Sequence, residues 1–409
     1  MLLQNKFQYI ALAVFSLLFF GFVGFTVYPQ GILASEIVAC DEKSPNETEK
    51  IDCWQDIMRG AFDVDGTQAA FDVFEVVYKN YEVFANTGCH RHAHRIGDMS
   101  YYFDYLTHKD FTKMDFPKGA TACGYGFYHG FFEHLVQDNT SVEFVTQMCE
   151  YMRNNLGDVA PAISQTCYHG SGHGFLLARA DELTQESQWS VEAFTQKPLE
   201  QCESLPQASD TEIAECRQGV YNVIVDWMAD GEYGLSYNTV EPFAMCDREP
   251  YERQFDCYYE IAQKIDGLSN GDPLKMVAIV EKAKRVDLQT IAMSVGVAGV
   301  VQQNPQNDQI TLLSACQSID RMELKNQCIL GIIGGLVEHT IPGTDYKNAI
   351  NFCESDQLTV DERPLCDREL LGKLKRFRTD IELEEMCSSR VLSTTFCKNM
   401  EKNSETLSR

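Results

Sequence analysis

No Cys-x-x-Cys knuckle occurs in this 409-residue chain, although it carries 16 cysteines. A cytosolic protein so rich in cysteine would more often show such knuckles for zinc, so the even, paired cysteines read instead as a disulfide framework built in an oxidising compartment. The Cys-x-x-Cys-His attachment of c-type haem is missing too, which sets covalent haem aside and leaves only non-covalent bis-His ligation for that cofactor. No Gly-x-Ser-x-Gly elbow, Walker loop or dinucleotide fingerprint stands in a supporting context. Basic residues are few, 34 against 60 acidic, for a formal charge of −26. That balance argues against nucleic acid and anionic membrane surfaces as partners. Alternating apolar and polar runs of the β type are scarce, and the 12 prolines fall mostly outside the apolar stretches. The expected class is therefore all-α.

The first of those apolar stretches, Ile10 to Val27, follows Lys6 and meets no charge until Glu36. A cleavable signal has an apolar core of about 7–15 residues and a spanning helix needs roughly 20, so the run reads as an uncleaved signal anchor. Residues 1–34 would form the cytoplasmic tip and transmembrane helix, with the body extracellular or periplasmic. Cleavage and secretion is the alternative.

Beyond the anchor the cysteines mark a repeat. A helix-like stretch ends in Cys, a polar loop follows, and a second Cys opens another helix. The pairs are Cys40/Cys53, Cys149/Cys167, Cys202/Cys216, Cys246/Cys257, Cys316/Cys328, Cys353/Cys366 and Cys387/Cys397. Cys89 and Cys123 are left over, and an oxidising compartment favours a bridge between them over reduced thiols on a soft ion. Second cysteines recur every 31–49 residues, except for a 71-residue gap that would hold an unstapled repeat near Ile291–Val301. Such periods predict disulfide-stapled α/α-hairpin repeats in one elongated, solenoid-like unit. Glycines recur three and seven residues after the second Cys (Gly126/Gly130, Gly170/Gly174, Gly331/Gly335). They lie on one helical face and let neighbouring helices approach, so they read as structural.

Seven of the nine histidines fall in three clusters between His90 and His173, one per successive repeat. His90/His94 and His169/His173 are i,i+4 pairs, and His129/Glu133 is a third. On a helix such pairs stand one above the other, about 5–6 Å apart at Cβ, near enough to share a metal ion. His129 and His173 each lie six residues after their cysteine and His94 lies five after, whereas the equivalent slot elsewhere holds Asn222, Gln263 or Gly334. Histidine in one slot of three adjacent repeats points to a metal centre grafted on a generic scaffold. The candidate ligands are His90, His94, His129, Glu133, His169 and His173, suited to copper, zinc or iron. They could close one site or hold two ions about 3.5–4 Å apart. His92 and His134 face away from their pairs and read as supporting or surface residues, and His108 as solvated. Arg91 and Arg95 could hold a substrate anion, and Tyr125 either lines the site or packs.

These features divide the body into residues 35–182, bearing the site, and 183–409, a stapled scaffold or partner surface. Two functions compete. The first is a membrane-anchored extracytoplasmic metalloprotein. If it is an enzyme, copper or iron makes it an oxidoreductase and zinc a hydrolase, with Glu133 as ligand or general base. The second is a non-catalytic solenoid that presents its surface to a protein or glycan, with a structural metal or none.

Overall fold

The computed structural model describes residues 34–85, 88–114, 116–158, 160–183, 189–303, 309–338, 345–388 and 397. Among them there is no strand, and their regular structure is all helix, as expected. The proposed anchor, residues 10–27, lies outside the described residues, as does His339. Among the described residues, no helix is long and apolar enough to cross a membrane.

Residues up to Ala85 form one compact unit and those from Asn86 a second. In the first, helix α1 (34–43) is joined by Cys40–Cys53 to the long α2 (Glu47–Asn80), followed by the short α3 (Glu82–Ala85). Trp54 is fully buried, packs on Phe84 and donates its indole N–H to the Ile37 carbonyl at 3.0 Å. The α2 backbone kinks at Gly66, whose φ of 76° lies in the left-handed region that glycine alone enters freely.

The second unit carries α4 (Cys89–Met99), α5 (Leu106–His108), α6 (Ala122–Asp138), α7 (Val142–Leu156), α8 (Ile163–Leu183), α9 (Val191–Glu203), α10 (Asp210–Asp230) and α11 (Tyr251–Ala262). After these come α12 (Ile265–Ser269), α13 (Pro273–Val280), α14 (Val286–Gln303), α15 (Gln309–Gln317), α16 (Met322–Glu338), α17 (Asp345–Cys353), α18 (Glu362–Phe377) and α19 (Asp380–Ser388). Helix starts follow local chemistry: Ser209 and Glu212 form a reciprocal capping box on α10, and Ser141 and Ser190 cap α7 and α9.

Disulfides join all seven cysteine pairs that the spacing predicts, and Cys89 bridges Cys123, leaving no free thiol. Most staple one helix to the next, as in α7–α8, α9–α10, α15–α16 and α17–α18. Loops of this length give about 3 kcal/mol per bridge by constraining the unfolded chain. In the long cysteine gap, α13 and α14 supply the helix pair without a staple.

The helices that follow the second cysteines pack in a row: α4 on α6, α6 on α8, α8 on α10, then α11, α14, α16 and α18. Glycine makes the close crossings. A Cβ on Gly219 would collide with the His169 carbonyl oxygen, and one on Gly331 with that of Ser294. The row is not the open, elongated array the repeat suggests. Tyr125, at the start of α6, donates its hydroxyl to the Arg376 carbonyl of α18 at 2.7 Å, across 251 residues of sequence. Within this unit the last long helix of the row therefore returns to the second. The same hydroxyl accepts from the Ala162 amide at 3.2 Å, so Tyr125 packs instead of lining the histidine cluster.

Candidate metal centre

Three helices of the row build the cluster. Helix α6 buries Phe127, Tyr128, Phe131, Phe132, Leu135 and Val136, which fill most of its circumference and turn the remaining stripe, His129 and Glu133, toward α4 and α8. Glycines bring the neighbours near. A Cβ at Gly126 would stand 3.1 Å from that of Ala93, and one at Gly130 would lie 2.6 Å from Asp98 Oδ1 and 2.9 Å from His94 Nδ1. The space left by Gly130 is thus where the His94–Asp98 pair sits. On the other side, a Cβ at Gly174 would meet the Glu133 carbonyl at 2.6 Å. The glycines are structural, as expected, and the structure they provide is the convergence of the histidines.

The start of α6 departs from the continuous helix expected after Cys123. Cys123, Gly124 and Tyr125 all have left-handed backbones, with φ of 57°, 64° and 62°. Such a turn costs an L-residue roughly 1–2 kcal/mol. It is held by the Cys89–Cys123 bridge, by the two Tyr125 hydrogen bonds, and by His90, whose Nδ1 lies 2.8 Å from the Cys123 carbonyl oxygen. A carbonyl only accepts, so His90 carries its proton on Nδ1 and presents the lone pair of Nε2 inward.

All six candidate ligands converge. His129 Nδ1 lies 3.1 Å from His90 Nε2. The His129 ring stacks on His169 at 4.8 Å and stands 5.8 Å from His173, with His169 and His173 5.0 Å apart. Glu133 Oε2 is 3.1 Å from His173 Nδ1 and 3.3 Å from His94 Nε2. His94, Glu133 and His173 form a group whose ligand atoms all lie within 4.8 Å of one another.

Electrostatics separate the members. Burial alone would lower the His94 pKa, but hydrogen bonds to Asp98 and Glu133 prevail and push it up to about 10. Burial would raise the Glu133 carboxyl, yet His173 and His94 hold it well below the usual carboxylate range. His129, fully enclosed and surrounded by four other imidazoles, is driven far below 6.5 and is neutral. Burial also lowers His173, partly offset by Glu133, and its Nε2 is buried without a hydrogen-bond partner. Neutral His129 and His173 and an ionised Glu133 are in the protonation states a metal ion requires of its ligands, whereas His94 must release a proton to the ion it binds.

Several residues that the sequence pattern did not assign surround the ligands. Asp98 Oδ1 is 3.3 Å from His94 Nδ1 and 3.4 Å from His134 Nε2, so Asp98 holds the far side of a candidate ligand. Glu215 stands 3.8 Å from His169 Nδ1. Only the i,i+4 spacing of Asp98 from His94 could have signalled the first, and nothing in the sequence signals Glu215. His134 supports Asp98 and is not a surface residue, and His92 is fully buried in α4. His108 is exposed beside Asp104, as expected, and Arg91 and Arg95 are exposed.

An enclosed group of imidazole nitrogens and a carboxylate oxygen can bind a transition-metal ion, and it offers no hydroxyl or thiol nucleophile. Set against protein-family models, curated proteins and solved structures, the chain matches none.

Proposed function

We propose that the protein is an extracytoplasmic metal-binding protein whose centre is His94, Glu133 and His173, contributed by α4, α6 and α8. The observation that carries this reading is the convergence of their ligand atoms within 4.8 Å in a half-buried to buried setting. The oxidising compartment is supported by eight disulfides with no free cysteine. The apolar run Ile10 to Val27 supports a membrane anchor. Two imidazoles and a carboxylate suit zinc, copper or iron, and such a set leaves a coordination position for water or substrate. Bound there, zinc would supply Lewis acidity and copper or iron electron transfer, which makes the metal's identity decide between hydrolase and oxidoreductase.

The test is elemental analysis of the natively purified full-length protein beside two double variants. His94→Ala/His173→Ala should lose the equivalent of metal that this group holds, and Asn222→Ala/Gln263→Ala, which changes the same helical slot in the next helices, should leave it intact. Absence of metal from the wild type even after reconstitution would refute the reading and leave the stapled binding scaffold.

A further inference from the structure

The register of the three site helices does more than gather six side chains. Each helix offers an i,i+4 pair: His90/His94 from α4, His129/Glu133 from α6 and His169/His173 from α8. With the helices side by side, the pairs fall into two layers one turn apart. One layer is His94, Glu133 and His173, the metal group described above. The other is His90, His129 and His169, again one residue from each helix and all imidazole. Within the all-histidine layer, the His90–His129 and His129–His169 rings are each 4.8 Å apart, while across the layers His169–His173 is 5.0 Å, His129–His173 5.8 Å and His90–His94 6.3 Å.

We propose that this second layer binds its own transition-metal ion through His90, His129 and His169, making the centre dinuclear. The inference rests on the reading of the first layer as a metal site. Three observations support it. The His90 tautomer is set by the Cys123 carbonyl at 2.8 Å, the outer hydrogen bond that metal-ligating histidines usually make, and Nε2 is thereby left as the donor. His129 Nδ1 stands 3.1 Å from that Nε2. Two nitrogens bound to one tetrahedral zinc at about 2.0–2.1 Å are roughly 3.3–3.4 Å apart, so the pair is already spaced for an ion. His129 donates Nδ1–H to His90. Moving that proton to Nε2 keeps the ring neutral and turns both lone pairs to the ion. Third, His169 has Glu215 at 3.8 Å from Nδ1 as an outer partner. Its ring lies stacked on His129 with the planes 22° apart, so one ion takes nitrogens from both only if a ring turns.

The donor sets differ, three neutral nitrogens in one layer and two nitrogens with a carboxylate in the other. The all-nitrogen layer suits copper or zinc, and the mixed layer accommodates iron as well.

The experiment loads full-length protein in detergent with zinc, removes loose metal by desalting, and counts bound zinc per chain. The wild type should hold two equivalents. His90→Ala/His169→Ala should hold one, as should His94→Ala/His173→Ala, with the helical circular dichroism of each unchanged. If either double variant loses its helical signal, His129→Gln and Glu133→Gln replace them as the single-layer variants. One equivalent in the wild type, kept by His90→Ala/His169→Ala and lost by His94→Ala/His173→Ala, overturns the second ion and leaves the proposed function standing. One equivalent lost in both double variants means a single ion spanning the layers, which also overturns it. No zinc in the wild type overturns both proposals.

Discussion

Helices α6 and α8 differ from α10 and α11, further along the same row, chiefly in what fills one slot. Six residues after the cysteine the first pair carries His129 and His173, the second Asn222 and Gln263. Both stretches are stapled and both pack helix on helix, so the scaffold itself does not require histidine. The second pair fills the slot with amides that meet a carboxyl. Three residues after Cys257, where α6, α8 and α10 have glycine, stands Glu260, fully buried. Its Oε2 accepts from Asn222 Nδ2 at 2.7 Å and from Gln263 Nε2 at 2.6 Å. Amides there meet a carboxyl, and glycine's space is taken by a side chain. Around His129 and His173 the glycines remain, the helices stay close, and His173 Nε2 has no partner. The comparison isolates what is particular to the histidine helices: nitrogen donors and a carboxylate gathered on three helices, with His173 Nε2 left unpartnered.

Glu260 provides the largest expected effect that sharpens this contrast. Burial pushes its pKa up to about 7 from 4.5, with His169 and the Asn222 hydrogen bond acting the other way. A raised carboxyl pKa means the folded state binds more protons than the unfolded state between those values. Stability therefore falls as pH rises from 4.5 to 7 and levels off above, by a total on the order of 3 kcal/mol. Glu260→Gln should remove that dependence. Chemical denaturation at pH 8 should show the variant more stable than the wild type, and the two should match near pH 4. Parallel curves for both proteins across this range would mean that Glu260 is ionised in the fold and that the amides alone sustain it.

A second effect concerns the crossings. Gly219→Ala places a methyl group against the His169 carbonyl oxygen, a backbone atom that cannot swing away. Overpacking of this kind costs about 1–3 kcal/mol. Because α8 must move to admit it, zinc binding should weaken together with stability, measured by denaturation and by zinc titration. Lost stability with unchanged zinc affinity would show that the α8–α10 crossing does not position the ligands.

Much of this architecture was legible in the sequence because its signals are local. Cysteines that close short loops specified the helical hairpins, and i,i+4 spacing named six candidate ligands whose side chains three helices bring near one another. What escaped depends on contacts distant in sequence or on residue types without pattern. The return of the row through Tyr125 and Arg376 joins positions 251 residues apart, and no periodicity encodes it. The left-handed turn at Cys123–Tyr125 was hidden because only one of its three residues is glycine. Asp98 and Glu215 are two carboxylates among 60 acidic residues, distinguishable only once the helices are placed. The slot comparison itself was visible from the start, but Glu260 as the residue that completes the Asn222/Gln263 pair was not.

Asp98 makes the third prediction, which depends on a bound ion. Held between His94 Nδ1 and His134 Nε2, it fixes the orientation in which His94 offers Nε2 toward Glu133. Removal of such an outer carboxylate lowers metal affinity about 10–100-fold. Asp98→Asn should weaken zinc by that factor in a competition titration. Asp138→Asn, whose carboxylate bonds Tyr101 and no candidate ligand, should not. Equal affinities for the two variants would make Asp98 a packing residue only.

The smallest effect tests whether glycine in this row always marks a close crossing. Gly372 lies on α18 with nothing within 4 Å of the position a Cβ would take, in contrast to Gly219. With no collision to offset it, alanine gains only helix propensity, so Gly372→Ala should stabilise the protein by about 1 kcal/mol. Thermal melting of Gly372→Ala beside Gly219→Ala should give shifts of opposite sign. A loss at position 372 would mean that α18 presents a packed face there, as α10 does to α8. The glycines would then belong to the scaffold along the whole row, and their placement beside the histidines would carry no information about the metal centre.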